Sequence, residues 1–216
     1  MRLEYLMRKT HICSAVFVLI CCALSINAQG KRYLRAIEVF SNGVQSANAA
    51  EPAAPRRLTN LAEKRIAVDL QLGEEIEGRE VILYPRSGIT LEFMIEQRIE
   101  TSLTVSNEGP HLDLLDWKHY LSPWERLDEV GENRYRIRDV SNEEATSFPA
   151  VSPEEIREAV LRAGGERWAE LVRDVKGPHD APVLVGVSKI SLKVSVKEGG
   201  DWKVINLIEF LIPMGC

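Results

Sequence analysis

The chain has 216 residues, a formal net charge of −5 and 45% apolar residues. That composition supplies a hydrophobic core, and the acidic balance argues against nucleic acid or an anionic membrane held by bulk charge. No long block of one sign appears, so a polybasic or acidic tail is excluded as well.

Residues 1–28 read as an address. Arg2, Arg8 and Lys9 open it, an apolar run from Ile12 to Leu24 is broken only by Ser14, and Ile26-Asn27-Ala28 makes a small-residue exit. This is the layout of a secretory signal peptide cleaved after Ala28. It predicts a secreted or periplasmic protein with no stable membrane span after cleavage. The apolar run falls short of the roughly 20 residues of a spanning helix. Cys21 follows Ile20 and Cys22 follows Cys21, not the small residue that a lipid anchor uses. Cleavage would remove three of the 27 basic residues and one of the 32 acidic ones, leaving 24 and 31 and a net charge near −7. It would also remove Cys13, Cys21 and Cys22, leaving Cys216 alone at the end of the sequence. An internal disulfide and a cysteine metal site are then both excluded. Cys216 is expected to be an untied terminus, its alternative being an intermolecular disulfide.

Residues 29–60 are expected to form an N-terminal extension or linker. Ser46 to Pro55 is small and polar with two prolines. Within it, Leu34, Ile37, Val39 and Phe40 suit a short strand or an anchoring segment. A single β-rich domain is expected over 61–216. Ile66, Val68, Leu70 and Leu72 alternate with polar neighbours, the period of a half-buried strand. Gly73 to Gly78 reads as an acidic turn and Val81 to Tyr84 as a second strand. Alternation then runs from Ile89 to Val105, as one long bent strand or two strands meeting near Gln97 to Glu100. A helix could use Leu91, Ile95 and Ile99, but the three threonines and the sustained period of two favour strand. This passage resembles paired strands of bacterial immunoglobulin-like domains, a resemblance that implies a sandwich.

His111 to Trp124 is aromatic and irregular, a short strand holds Tyr135 and Ile137, and residues 141–151 read as loop. Ser152-Pro153-Glu154-Glu155 is a helix start with a capping box, and Gly177-Pro178 is a stop. The apolar group of Ile156, Ala159, Val160 and Ala163 would lie about 120° from that of Trp168, Leu171, Val172 and Val175 in a continuous helix. One face cannot bury both, so a helix-turn-helix pair over 152–176, broken at Gly164-Gly165, is expected. Pro182 to Val196, a turn at Glu198-Gly199-Gly200-Asp201 and Trp202 to Ile212 form a terminal hairpin. Parity shifts inside its first strand, which predicts a bulge at Ser188-Lys189. The return strand is apolar on both parities and should be central, with the helix pair covering one face. The fold class is therefore α+β: an antiparallel, sandwich-like domain with an inserted helix-turn-helix pair before a C-terminal hairpin.

The densest chemistry lies at His111, Asp113, Asp116 and His119, residue types that ligate zinc. The spacing matches no motif of known mechanism, and the full set converges on neither a strand nor a helix. No metal is expected. A solvated connection anchored by Leu112, Leu114 and Leu115 is the simpler reading. Trp117, Tyr120 and Trp124 could form a ligand platform for a sugar or peptide, or a small core under a long connection. There is no nucleophile elbow and no phosphate-cradling glycine loop, so no cofactor is expected. Acidic residues are too many for any pair to single itself out as a glycosidase dyad. The leading expectation is an exported, non-enzymatic module that binds a protein or glycan of the cell envelope. The alternatives are a metal-dependent hydrolase using the His111–His119 region, and a structural envelope subunit docked through residues 29–60.

Overall fold

The computed structural model describes residues 29–40, 55–88 and 90–214, so residues 1–28, expected to be a signal peptide, and Cys216 lie outside the described residues. Two sheets face one another. The first has five strands in the order β2-β1-β4-β10-β9. These are β1 (Leu34–Val39), β2 (Arg56–Leu58), β4 (Glu80–Pro85), β9 (Asp128–Gly131) and β10 (Arg134–Arg136). The second follows β3-β12-β11-β5-β6, with two further short strands on β5. Its members are β3 (Arg65–Asp69), β5 (Phe93–Ser106), β6 (His111–Asp113), β7 (Tyr120–Leu121), β8 (Glu125–Arg126), β11 (Val183–Glu198) and β12 (Asp201–Leu211). Pairing is antiparallel except where β3 runs parallel to β12. This is the β-rich, sandwich-like α+β domain that the alternating sequence implies.

Inward side chains of both sheets make the main core. Ile37, Val39, Val81, Leu83 and Tyr135 come from the first sheet, and Phe93, Ile95, Ile99, Leu192 and Phe210 from the second. Tyr135 also donates its hydroxyl to the Phe93 carbonyl at 2.9 Å, one hydrogen bond between the two layers. Burial pushes that phenol up to about 12.

The expected linker is corrected here. Tyr33, Leu34, Ile37 and Val39 are buried, and β1 lies between β2 and β4, inside the first sheet. The domain therefore draws in residues 29–40 and 56–60. Their weak alternation has a cause: the register of β1 against β4 shifts between Leu34 and Ala36.

β5 is one strand of 14 residues, with no break near Gln97 to Glu100. Its inward row is covered by two different layers. Phe93, Ile95 and Ile99 meet the five-stranded sheet, while Leu103 and Val105 meet helices. Gln97 lies in this row between Ile95 and Ile99 and is fully buried. Its side-chain amide donates to the Arg138 carbonyl at 3.0 Å and accepts from the Arg138 N–H at 2.8 Å. A buried amide thereby stands in for a strand neighbour.

Besides the short α1 (Gln29–Tyr33), the helices are α2 (Asn142–Thr146), α3 (Pro153–Gly164) and α4 (Glu166–Leu171). α2 falls where loop is expected. Its cause is legible afterwards: Ser141 and Glu144 form a capping box, and Arg138 clamps Glu144 with two bonds of 2.7 and 2.8 Å. Arg138 and the Ser141 cap hold the Glu144 carboxyl down at about 2. α3 starts at the Ser152–Glu155 capping box with Pro153 in its first turn. The break between α3 and α4 is Gly165, at φ +79°, and both apolar groups reach one cluster through Ile156, Val160, Val172 and Val175. Helix ends at Leu171, before the Gly177-Pro178 stop, and hydrogen-bonded turns carry the chain onward. The pair covers the Leu103–Val105 end of β5 and Val183, not the return strand as expected. β12 is nevertheless interior, flanked by β3 and β11. β11 carries the bulge its parity predicts: Val187 opposes Thr101 and Lys189 opposes Glu100, leaving Ser188 extra.

The outward face of β5 and β11 bears three rungs of opposite charge. Glu96–Lys193 and Glu92–Lys197 stand at 2.8 Å, and Glu100–Lys189 at 3.0 Å. No helix among the described residues is long and apolar enough to cross a membrane.

Candidate binding site along residues 111–124

The segment from His111 to Arg126 is a broken edge strand. β6, β7 and β8 each pair antiparallel with β5, and between β6 and β7 the chain leaves the edge as a loop. Leu114 fixes that departure, since it is buried and its N–H bonds the Leu103 carbonyl at 2.8 Å. The loop is tied to α3 at two places. Lys118 pairs with Glu155, and Lys118 with the Ser152 N–H holds the Glu155 carboxyl below the usual carboxylate range. At the other end Leu112 packs so close to Gly164 that a Cβ there would lie 2.6 Å from its Cδ2.

The four polar residues singled out from the sequence go separate ways. His111 and Asp113 share a strand face and pair at 2.9 Å. Asp116 is exposed and has no ion-pair partner among the described residues. His119 turns to the sheet, its Nδ1 2.9 Å from Ser102 Oγ and 3.4 Å from Glu100 Oε1. No three His, Cys, Asp or Glu side chains among the described residues are placed to hold a metal ion together.

The three aromatics do not make one platform. Trp117 belongs to the helix-side cluster, with its ring 6.1 Å from that of Phe148. Trp124 lies under Arg98 and Lys193, at 4.6 and 4.5 Å from its ring centre. Those two cations rise from the outward rows of β5 and β11, so Trp117 and Trp124 serve opposite faces of the sheet. Tyr120 is half-buried in β7 opposite Thr101.

Sequence reading missed a polar cluster beneath the loop. Ser102 Oγ, fully buried, bonds His119 Nδ1 and the Ser188 Oγ, each at 2.9 Å. Glu100 touches His119 and also holds Lys189 at 3.0 Å. The bulge at Ser188 was a usable signal, since bulges re-aim side chains; the long-range partners Ser102 and His119 were not readable. Ser, His and Glu side by side suggest a nucleophilic triad, but the geometry opposes one. In a triad the acid and the nucleophile use different ring nitrogens. Here Glu100 and Ser102 both face Nδ1, and Ser102 is sealed from solvent.

Two hollows flank Leu115 and Asp116. One, of about 380 Å³, opens between the loop and α3 and is lined by Asp113, Asp116, Trp117, Ala159, Arg162 and Ala163 among others. The other, about 240 Å³, lies against Glu100, Ser188, Lys189, Leu211 and Ile212. Fold and site thus define a β-rich α+β domain with two open clefts on one loop. Compared with known proteins, the chain matches no family model, no curated protein and no solved structure.

Proposed function

We propose that this chain is an exported, non-enzymatic binding module, secreted or periplasmic, engaging a protein or glycan of the cell envelope. The supporting observation is the state of its chemistry-bearing side chains. His111–Asp113 and Ser102–His119–Glu100 are separate hydrogen-bonded groups, while open clefts flank the loop that links them. The basic–apolar–small order of residues 1–28 supports export.

The test has two parts. N-terminal sequencing of protein recovered outside the cytoplasm should begin at Gln29; soluble protein retaining Met1 defeats export. The purified chain should turn over no ester, peptide or glycoside substrate, while retaining a saturable partner from the envelope or an envelope glycan. The alternative is a metal-dependent hydrolase using the His111–His119 region. Stoichiometric zinc, lost when His111 and His119 are both changed to alanine, would move that reading to first place.

A further inference from the structure

We infer that the cleft between α3 and the 113–117 loop binds a small zwitterion with an apolar side chain, a free α-amino acid or a dipeptide. The inference does not depend on export or on an envelope partner.

The cleft follows from residue size. Glu155, Ala159, Arg162 and Ala163 recur at helical spacing along the side of α3 that faces the loop. The loop is held to this side at its ends, by Lys118 on Glu155 and by Leu112 on Gly164. Between those ties α3 presents the methyl groups of Ala159 and Ala163 beside Arg162, and the gap is open at about 380 Å³, a volume typical of small-ligand sites. Leu114 is buried beneath it, and Trp117 is fixed as a wall by its packing on Phe148.

Charge supplies the ligand class. Asp113 is already engaged by His111. Asp116 on the loop wall and Arg162 on the helix wall have no ion-pair partner among the described residues. One unpaired anion and one unpaired cation thus line the same hollow without joining each other. An ammonium donates to the Asp116 carboxylate, and the planar Arg162 guanidinium matches a carboxylate through two parallel N–H bonds. The apolar side chain has Leu115, Trp117 and the two alanines to cover. A zwitterion adds no net charge to an already acidic chain.

Isothermal titration of the full chain with L-leucine and L-leucyl-L-leucine tests this, with isopentylamine and 4-methylpentanoate as controls that each lack one charge. At least one zwitterion should bind saturably, and each control at least about tenfold more weakly, the effect of losing one charge-assisted hydrogen bond. Preference for leucine identifies a free amino acid as the ligand, and preference for the dipeptide identifies a peptide. Arg162→Gln and Asp116→Asn, both at exposed positions, should each weaken binding about tenfold or more without moving the melting curve. Ala163→Phe should block the cleft. Absence of saturable heat with either zwitterion at millimolar concentration on folded protein overturns the inference. So does equal binding of the single-charge controls.

Discussion

Replacing Gln97 by leucine probes the buried amide between Ile95 and Ile99 in β5. Gln97 is fully buried and its amide bonds the Arg138 carbonyl at 3.0 Å and the Arg138 N–H at 2.8 Å. Leucine matches it in bulk but removes both partners, leaving two backbone polar groups unpaired. Each such group costs about 1–3 kcal/mol. Gain from apolar burial returns roughly 1 kcal/mol, at about 0.8 kcal/mol per buried CH₂. The net expectation is a loss of about 1–5 kcal/mol. At about 2–4 °C per kcal/mol for a domain of this size, the melting temperature should fall by about 2–20 °C. Urea denaturation at constant m-value measures the loss directly. Gln97→Glu keeps the acceptor for the Arg138 N–H but sets a buried carboxylate against the Arg138 carbonyl, so it should cost at least as much as leucine. A leucine variant within about 0.5 kcal/mol of the unmodified protein, the range of neutral surface changes, would refute the role assigned to this amide.

Glu144 is held at about 2, chiefly by Arg138 and then by the Ser141 cap. Its folded value lies below the unfolded value of about 4.3, so its contribution is present above that value and is lost as pH falls toward 2. Melting curves between pH 5 and pH 2 should therefore decline more steeply for the unmodified protein than for Glu144→Gln; parallel declines would contradict the clamp. At the helix break, Gly165→Ala must place a side chain at φ +79°, ψ −174° and should cost about 1–3 kcal/mol, although alanine is the better helix former. A raised melting temperature would show that the break is not required. Tyr135→Phe removes only the bond to Phe93 across the layers and should cost about 1–2 kcal/mol in denaturant; an unchanged midpoint would mean that the hydroxyl contributes nothing.

Much of the fold was legible because it is written in local periods. The alternation in β5, the terminal hairpin, the Ser188 bulge and the glycine break between α3 and α4 all follow from parity, caps and helical angle. β1 was hidden because a register shift at Leu34–Ala36 blurs its alternation. α2 was hidden because it is one turn long, announced by Ser141 and Glu144 but lacking a buried face. At the site, strand parity placed His111 and Asp113 on one face, where the structure pairs them. The sequence could not supply Ser102 beside His119, a contact set by how β5 meets the loop, nor Arg162 across from Asp116. Both depend on tertiary placement that no spacing within 111–124 encodes.

The charged rungs on the outward face also act as a lock on strand alignment during folding. β5 and β11 must find each other across about eighty intervening residues, and long strands of this kind can mispair. A slip of one residue would turn every buried side chain outward. A slip of two, in either direction, would set Arg98 opposite Lys189 or Lys193, like charge facing like. A slip of four recovers some of the Glu–Lys matches but moves the Ser188 bulge away from the position where the ladder accommodates it. Ion pairs that are largely covered at Glu100–Lys189 and Glu96–Lys193 thus also raise the energy of the native state's nearest competitors.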